Sequence, residues 1–395
     1  MQSASYKIIA IVSGLGMFLS TLDSGIMNLA LMPLSQYFQV SAQTISLLIV
    51  IYTLILSLSI LFFGILADYF GHLKCYRLGI IIFLSGSIFC ALSNSFMLIL
   101  MARLIQGLGA SLIQATALAL IVTNLSSEDK IKAMGIFTAC ISLGPLMGPG
   151  LGGIILSIFN WRFLFWLNLP ICLIALILMK KIKDNKFRAS KLSINFKFVL
   201  RGEIIISLIG IFTFGGATAI VFLLPAYFYL SILHEKTYIA GFLVLMTPLG
   251  SLISAKFFVL LKRYYTLKKL MIIGLTLMSL VLLLLLFINK NLSNIFILSF
   301  LFLYGFSGGL FQSSSYLYLS QQVAAIKQAK LSAVIRLVQN LGIALMSYLA
   351  LSLLNQTNLI NGIKEGFFIA FIFVLFSLFA ILLYNKKFRE PLNVI

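Results

Sequence analysis

The sequence predicts an all-α integral membrane protein with twelve transmembrane helices arranged as two six-helix halves. Of its 395 residues, 61% are apolar and 10% are charged, whereas water-soluble domains have about 45–50% and about 25%. Apolar stretches of about 20 residues recur between clusters of charge, which is the length that crosses a bilayer as a helix. These runs do not alternate as the strands of a membrane barrel do. The composition therefore excludes a soluble enzyme and a disordered or fibrous chain.

The twelve candidate spans divide the chain almost evenly. They lie near residues 8–32, 44–67, 76–94, 97–123, 132–157, 163–179, 203–231, 238–260, 270–288, 293–320, 331–354 and 363–384. Each span with its loop takes about 33 residues, which leaves no room for a soluble domain. Lys7 precedes the first apolar run and Asp23 interrupts it, so we expect an uncleaved first span rather than a secretory signal.

The basic residues predict the orientation in the membrane. Of the 29 Lys and Arg, 22 fall in loops on one side of the predicted bundle, four on the other side and three inside spans. By the positive-inside rule both termini are cytoplasmic, in a multi-pass protein of the bacterial inner membrane. The net charge of +20 is then explained by topology, with anionic lipid headgroups as secondary contacts. No nucleic-acid partner is needed to explain it.

The longest polar stretch divides the chain in two. Residues 180–202 form a basic cytoplasmic linker between a first half, 1–179, and a second half, 203–395. Glycine-rich runs at 107–109 and 305–309 make the fourth and tenth spans weak echoes of each other. Duplicated halves around a midplane cavity are typical of secondary transporters. The sequence has no nucleotide loop, nucleophile triad or metal cluster, so we predict neither an enzyme nor a cofactor or metal site. Its four cysteines are expected to be small buried residues.

Asp23 is the one acid predicted deep in the hydrocarbon region. A lone intramembrane carboxylate is costly and by default indicates a proton or cation site. Asp23 lies about 22 Å from the cytoplasmic start of its span, and Arg103 about 9 Å below the opposite surface of a core about 30 Å thick. Equal depth predicts that they pair. The alternatives are a carboxylate held permanently by structural hydrogen bonds and an arginine that extends its guanidinium to the membrane surface.

The fifth span contains the most specific pattern, Gly135, Gly144, Gly148-Pro149 and Gly152-Gly153. Glycines four residues apart let another helix approach closely, and Pro149 bends the helix. Ordinary helix packing is the alternative. The pattern resembles the antiporter motif of drug:proton exporters in the major facilitator superfamily. We expect leucine at Gly148 or Gly152 to abolish transport, and alanine at Gly144 to be milder.

Other segments carry the same resemblance. Gly64 to Gly71, with Asp68, is similar to the superfamily's loop motif. Tyr69, His72 and Leu73 stand where that motif usually has basic residues, and Lys74 and Arg77 are the candidate substitutes. Asp68 is expected to meet Arg77 or a helix N-terminus. Segments 22–31, 103–109 and 161–170 resemble motifs of the first, fourth and sixth spans in a multidrug-exporter branch that usually has fourteen spans. This chain lacks the two additional central spans.

The resemblance and the buried acid together imply proton-coupled efflux of small lipophilic or cationic molecules, such as drugs, toxic metabolites or a siderophore. Asp23 and Arg103 are the expected coupling pair, a cationic substrate competes for the carboxylate, and the proton gradient is the energy source. The expected partners are the substrate, protons and membrane lipids, and the chain is expected to act as a monomer. A proton-coupled importer on the same fold is one alternative, and a membrane sensor without transport is another. The expected cavity residues are Asn28, Gln106, Gln114, Tyr227, Tyr229, Gln312 and Tyr316.

Overall fold

The computed structural model describes residues 2–182, 197–290, 292–323, 328–354 and 358–385. Most of the predicted linker 180–202 therefore lies outside the described residues, and its boundaries remain a prediction. Within the described ranges every regular element is helical and no strand occurs.

The α-helices follow one another along the chain with short connections. They are α1 Gln2–Phe38, α2 Ala42–Phe70, α3 His72–Leu92, α4 Phe96–Asn124, α5 Ser127–Ile158, α6 Arg162–Trp166, α7 Asn168–Met179, α8 Gly202–Tyr227, α9 Thr237–Val244, α10 Met246–Leu261, α11 Leu267–Leu285, α12 Asn294–Gln321, α13 Gln328–Leu353 and α14 Leu359–Asn385. A 3₁₀ turn, Lys197–Leu200, precedes α8, and a π-helical turn, Phe228–Ile232, follows it.

The predicted spans correspond to these helices. In the described part of the chain, eleven helical segments are long and apolar enough to cross a membrane, and the fifth predicted span is represented by the shorter apolar stretch Leu143–Ile158 of α5. The sixth span is divided into α6 and α7, and the eighth into α9 and α10. Each break lies three to four residues before a proline, Pro170 or Pro248, because proline cannot donate to the carbonyl one turn earlier.

Polar residues define several helix ends. Gly71 joins α2 to α3 at φ 100°, a conformation that only glycine adopts without strain. Four side chains accept a hydrogen bond from the backbone N–H three residues on and so cap their helices: Ser41 at α2, Ser95 at α4, Ser126 at α5 and Thr266 at α11.

The bundle has two ends, which we name by residues. The basic end contains the connections near 71, 125–126 and 262–266, and the Trp161 end contains those near 39–41, 93–95, 159–161 and 233–236. The two halves meet at the Trp161 end. There a Cβ on Gly153 of α5 would lie 3.2 Å from the Gly241 Cα of α9, and Gln43 of α2 donates to the Tyr348 hydroxyl of α13 at 2.7 Å.

Candidate functional site: a buried charge pair in the first half

Asp23 of α1 and Arg103 of α4 form an ion pair inside the first half. The Arg103 Nη1 atom lies 2.5 Å from Asp23 Oδ2. Asp23 is 4% exposed and Arg103 is fully buried. The equal depth inferred from sequence thus corresponds to a direct contact, and the alternative of an outward-reaching arginine does not describe this structure.

Gln106 is the third member of the site. It follows Arg103 by three residues on α4, a spacing that puts both side chains on one helix face. Its Nε2 donates to Asp23 Oδ1 at 2.9 Å, and its Oε1 accepts from Arg103 Nη1 at 2.6 Å. Gln106 is fully buried and belongs to this charge site. The sequence analysis had predicted it as a residue of the cavity wall.

Two further polar residues come from α3 and α7. Ser87 Oγ accepts from Gln106 Nε2 at 2.8 Å and from Asn168 Nδ2 at 3.1 Å, and Asn168 Nδ2 also lies 3.4 Å from Asp23 Oδ1. The approach of α3 to α4 depends on Gly86, where a Cβ would lie 2.7 Å from the backbone nitrogen of Gln106. Four helices therefore converge on one carboxylate.

The guanidinium of Arg103 is held from a second side by α2. Its Nε donates to the Leu48 carbonyl at 3.3 Å, and its centre lies 4.2 Å from the centroid of the Tyr52 ring. The Tyr52 hydroxyl in turn donates to the Ser20 carbonyl at 3.4 Å. Removal of one partner from such a buried pair costs about 3–5 kcal/mol, because it leaves the other charge uncompensated.

Each described hydrogen-bond partner of Asp23 is a donor: Arg103, Gln106 and Asn168. This arrangement suits the ionised carboxylate, which only accepts hydrogen bonds. It also encloses the carboxylate, which keeps almost no exposed surface in this conformation. The expected direct competition between a cationic substrate and the proton for Asp23 stays a prediction.

The glycines of α5 lie against α1 and α9. A Cβ on Gly148 would lie 2.9 Å from Gly25 Cα, whereas at Gly152 the nearest atom would be Ile26 Cα at an ordinary 3.5 Å. At Gly144 it would lie 2.8 Å from Thr21 Cβ and 3.0 Å from the Leu22 nitrogen. A methyl group at Gly144 would therefore meet nearer atoms than one at Gly152, and the expectation that alanine at Gly144 is milder than leucine at Gly148 or Gly152 stays a prediction.

The α5 pattern also includes Pro149 and Gly135. Pro149 lies inside α5, and its carbonyl is the nearest atom to a Cβ built on Gly241 of α9, at 2.5 Å. Only the helical backbone of Gly135 is described.

Asp68 at the basic end lies beside the first residue of α3, which fits the expected helix N-terminus, and not beside Arg77. Its Oδ1 lies 3.5 Å from His72 Nε2, one helical turn on. Arg77 is exposed on α3 and forms no ion pair with Asp68 among the described residues. The reason is local: Gly71 turns the chain so that His72 begins α3 beside the acid. Gly64 has open space around it, with no atom within 4 Å of a built Cβ.

The remaining predicted cavity residues form three groups: Asn28 with Gln114, Gln312 with Tyr316, and Tyr227 with Tyr229. Asn28 and Gln114 are half-buried in the first half, and Gln114 donates to Ser20 Oγ at 3.2 Å. In the second half Gln312 donates to the Tyr316 hydroxyl at 3.4 Å, which donates to Gln339 Oε1 at 2.8 Å.

Tyr227 and Tyr229 differ from the prediction because both are buried. Tyr229 donates to Asn294 Oδ1 at 2.5 Å beside a cavity of about 200 Å³ between the π turn, α9 and α12. The cavity lies within the second half, near the Trp161 end, and not between the halves.

Sequence reasoning missed Ser87, Asn168 and Gln339 as members of these clusters. Asn168 lies in the 161–170 segment that carried a family resemblance, so a signal existed but no role was drawn from it. Ser87 and Gln339 have no such signal, because single polar residues in apolar helices are common and only packing shows which of them meet.

Comparison with known proteins identifies relatives of this chain. The family profile described as Major Facilitator Superfamily matches residues 14–347. A riboflavin transporter, RibZ, of Clostridioides difficile (strain 630) is 37% identical over 171 residues, which is 43% of this chain and 38% of that protein. Multidrug resistance protein Stp of Mycobacterium tuberculosis (strain CDC 1551 / Oshkosh) is 36% identical over 169 residues, 42% of this chain and 32% of that protein. The matched segments thus span less than half of each relative.

Solved structures share the fold over almost the whole chain. A D-xylose–proton symporter superposes with a TM-score of 0.81 at 16% identity, covering 98% of both chains. A bacterial homologue of the human lysosomal transporter Spinster, in an inward-facing and occupied conformation, gives 0.77 at 16% identity and covers 99% of both. At this identity the likeness concerns the fold alone.

Proposed function

The chain belongs to the Major Facilitator Superfamily, and from this premise we propose that it is a proton-coupled antiporter that exports small lipophilic or cationic molecules. The observation that carries the proposal is the Asp23–Arg103 ion pair, a carboxylate and its counter-ion enclosed by helices of one half. Intramembrane acids are rare and mark proton or ion pathways. The proton gradient supplies the energy, and the function requires no cofactor.

Asp23 exchanges its proton as the transporter changes conformation. In the arrangement described above, the carboxylate is ionised and Arg103 neutralises it. A proton that reaches Asp23 makes the carboxyl neutral and frees the Arg103 guanidinium to strengthen its remaining contacts, such as the one that Nε makes with the Leu48 carbonyl at 3.3 Å. A differential stabilisation of about 3 kcal/mol between two conformations changes the proton affinity about a hundredfold, which is sufficient for coupling.

The proposal includes an orientation. If the basic end is cytoplasmic, the halves in this structure are joined on the outer side, where Gly153 of α5 meets Gly241 of α9. The arrangement then corresponds to a cavity that opens to the cytoplasm, and transport requires that these contacts separate. Reporter fusions near positions 35, 160 and 235 should be external, and those near 72 and 265 internal. The reversed pattern contradicts the orientation.

The proposed export can be tested by accumulation of a labelled cationic dye in cells with and without the protein. Cells that express it should accumulate less dye while a proton gradient exists. Asp23→Asn should abolish this difference, because an amide cannot bind and release the proton. Glu235→Gln is the matched control, since it removes an exposed loop carboxylate and should leave export unchanged. Uphill export by Asp23→Asn with a normal pH profile would place the coupling acid elsewhere.

Proton-coupled import of a nutrient is the second candidate. One observation favours it: a relative that shares 37% identity over 171 residues transports riboflavin, a vitamin. The same cells, loaded with labelled riboflavin or supplied with it outside, separate the two directions. Import predicts greater uptake in expressing cells and the same dependence on Asp23.

A further inference from the structure

The Asp23 site contains one polar atom that its ionised state does not use. Asn168 is fully buried at the start of α7, and its Oδ1 has no hydrogen-bond partner among the described residues. Its Nδ2, by contrast, is shared between Asp23 Oδ1 at 3.4 Å and Ser87 Oγ at 3.1 Å. A buried acceptor without a partner costs about 1–3 kcal/mol, so its position next to the carboxylate calls for a role.

Protonation of Asp23 reverses the requirement at this position. A carboxyl O–H needs an acceptor, and Arg103, Gln106 and Asn168 all present donors to Asp23. Arg103 has no acceptor atom. Gln106 cannot exchange its amide ends easily, because its Oε1 already accepts from Arg103 at 2.6 Å, and rotation would turn N–H groups toward the guanidinium.

Asn168 has no such constraint. Rotation of its amide by about 180° places Oδ1 where Nδ2 now lies, next to Asp23 Oδ1 and Ser87 Oγ. In the described part of the chain Ser87 only accepts hydrogen bonds, from Gln106 and Asn168, so its hydroxyl hydrogen is available to the rotated Oδ1. Both donors then meet the acceptor that had no partner.

We propose that Asn168 is a positioning residue that donates to Asp23 when the carboxylate is ionised and, after rotation of its amide, accepts from the carboxyl when Asp23 is protonated. This inference rests on the proposed function, since it supplies the protonated state that proton coupling requires. The proton binds to Asp23 Oδ1 and stays there, and the only other change is the exchange of hydrogen bonds. Asn168 follows the break between α6 and α7 at Leu167, where the helix is not continuous.

The charged and titratable neighbours of Asp23 come from four other helices. They are Arg103 of α4, Tyr52 of α2, and Cys90 and Cys172 of α3 and α7, all close enough to interact with it electrostatically. Each remains unchanged in the variants below, so a difference in titration reports on residue 168.

The test is a pH titration of the purified protein by infrared difference spectroscopy, which reads the carboxyl band of Asp23 directly. The band is assigned by its loss in Asp23→Asn. In the ionised state, Asn168→Leu removes a long hydrogen bond to Asp23 from an Nδ2 that is shared with Ser87. In the protonated state it removes the acceptor of the carboxyl O–H. The midpoint should therefore move toward acid, by about half a unit to one unit for one hydrogen bond. Asn168→Asp should move it toward alkali, since two adjacent carboxylates resist joint ionisation.

A control and the remaining outcomes make the result decisive. Ser111→Ala removes a buried hydroxyl of α4 whose one hydrogen-bond partner among the described residues is the Leu108 carbonyl of the same helix, and should leave the midpoint unchanged. An unchanged or more alkaline midpoint in Asn168→Leu overturns the inference but leaves the proposed function intact. A carboxyl band that does not titrate in the wild-type protein overturns both. Measurement on the protein itself needs no assumption about substrate or direction.

Discussion

The contact between Gly148 of α5 and Gly25 of α1 should be a packing constraint that tolerates substitution poorly. A Cβ on Gly148 would lie 2.9 Å from Gly25 Cα, 3.1 Å from its carbonyl carbon and 3.2 Å from the Ile26 nitrogen. All three are backbone atoms and cannot rotate away. Ordinary contacts between carbon atoms are about 3.5–4.0 Å, so the helices must move apart at this crossing.

The expected cost of Gly148→Ala is about 1–3 kcal/mol, the usual range for an overpacked interior. The same α5 offers a matched control. At Gly152 the nearest atom to a built Cβ lies at 3.5 Å, so Gly152→Ala should be close to neutral. Gly64→Ala on α2 meets open space and gains helix propensity of up to about 1 kcal/mol, so it should be neutral or stabilising.

Thermal unfolding of the purified protein and dye export in cells would measure the series. Gly148→Ala should lower the apparent melting temperature by a few degrees and reduce export, whereas the two controls should match the wild type. Equal melting temperatures for all three variants would refute the packing argument. Equal losses in all three would show that any substitution of a membrane glycine is harmful, independent of the contact.

Four other substitutions have definite expected outcomes. Arg103→Met leaves the carboxylate without its counter-ion, so the pH midpoint of transport should rise by as much as about two units, from a loss of about 3 kcal/mol; an unchanged profile contradicts the pairing. Asp68→Asn and His72→Gln each remove the 3.5 Å pair and should slow turnover equally, without loss of substrate binding in a dye-binding assay. Tyr348→Phe removes the acceptor of Gln43 at the Trp161 end and should favour opening of the bundle at that end, seen as faster labelling of a cysteine introduced there.

The fold could be predicted from sequence because membrane spans are specified by length and composition. Long apolar runs and the alternation of charge determine the number of helices. Both are local properties of the sequence, so the helices can be predicted without knowledge of long-range contacts. The helix breaks at Leu167 and Leu245 were not predicted, although Pro170 and Pro248 indicate them. A proline removes one backbone donor, and packing decides whether the helix bends there or divides.

The site was predictable only in its charged members. Asp23 and Arg103 stand out because charge inside a membrane is rare. Asn168 and Ser87 are neutral, and their types occur throughout the spans, so their meeting depends on helix rotation and register. Asp68 was placed correctly at a helix end, but its partner depended on the turn at Gly71, where a positive φ brings His72 back toward the acid.

Under the proposed function, the position of the carboxylate limits how proton and substrate fluxes can be linked. Asp23 is enclosed by α1, α3, α4 and α7, all from one half, and keeps almost no exposed surface in this conformation. The link must then pass through the helix that carries it. Gly25 is two residues from Asp23 and contacts Gly148 of α5. Helix α5 in turn contacts α9 of the other half at Gly153. A change in the protonation of Asp23 that shifts α1 by even a fraction of an ångström acts on a crossing with no spare space. Tight backbone packing can transmit so small a displacement because a packed interior has discrete arrangements and deforms little between them. The glycines of α5 would then serve coupling as well as packing.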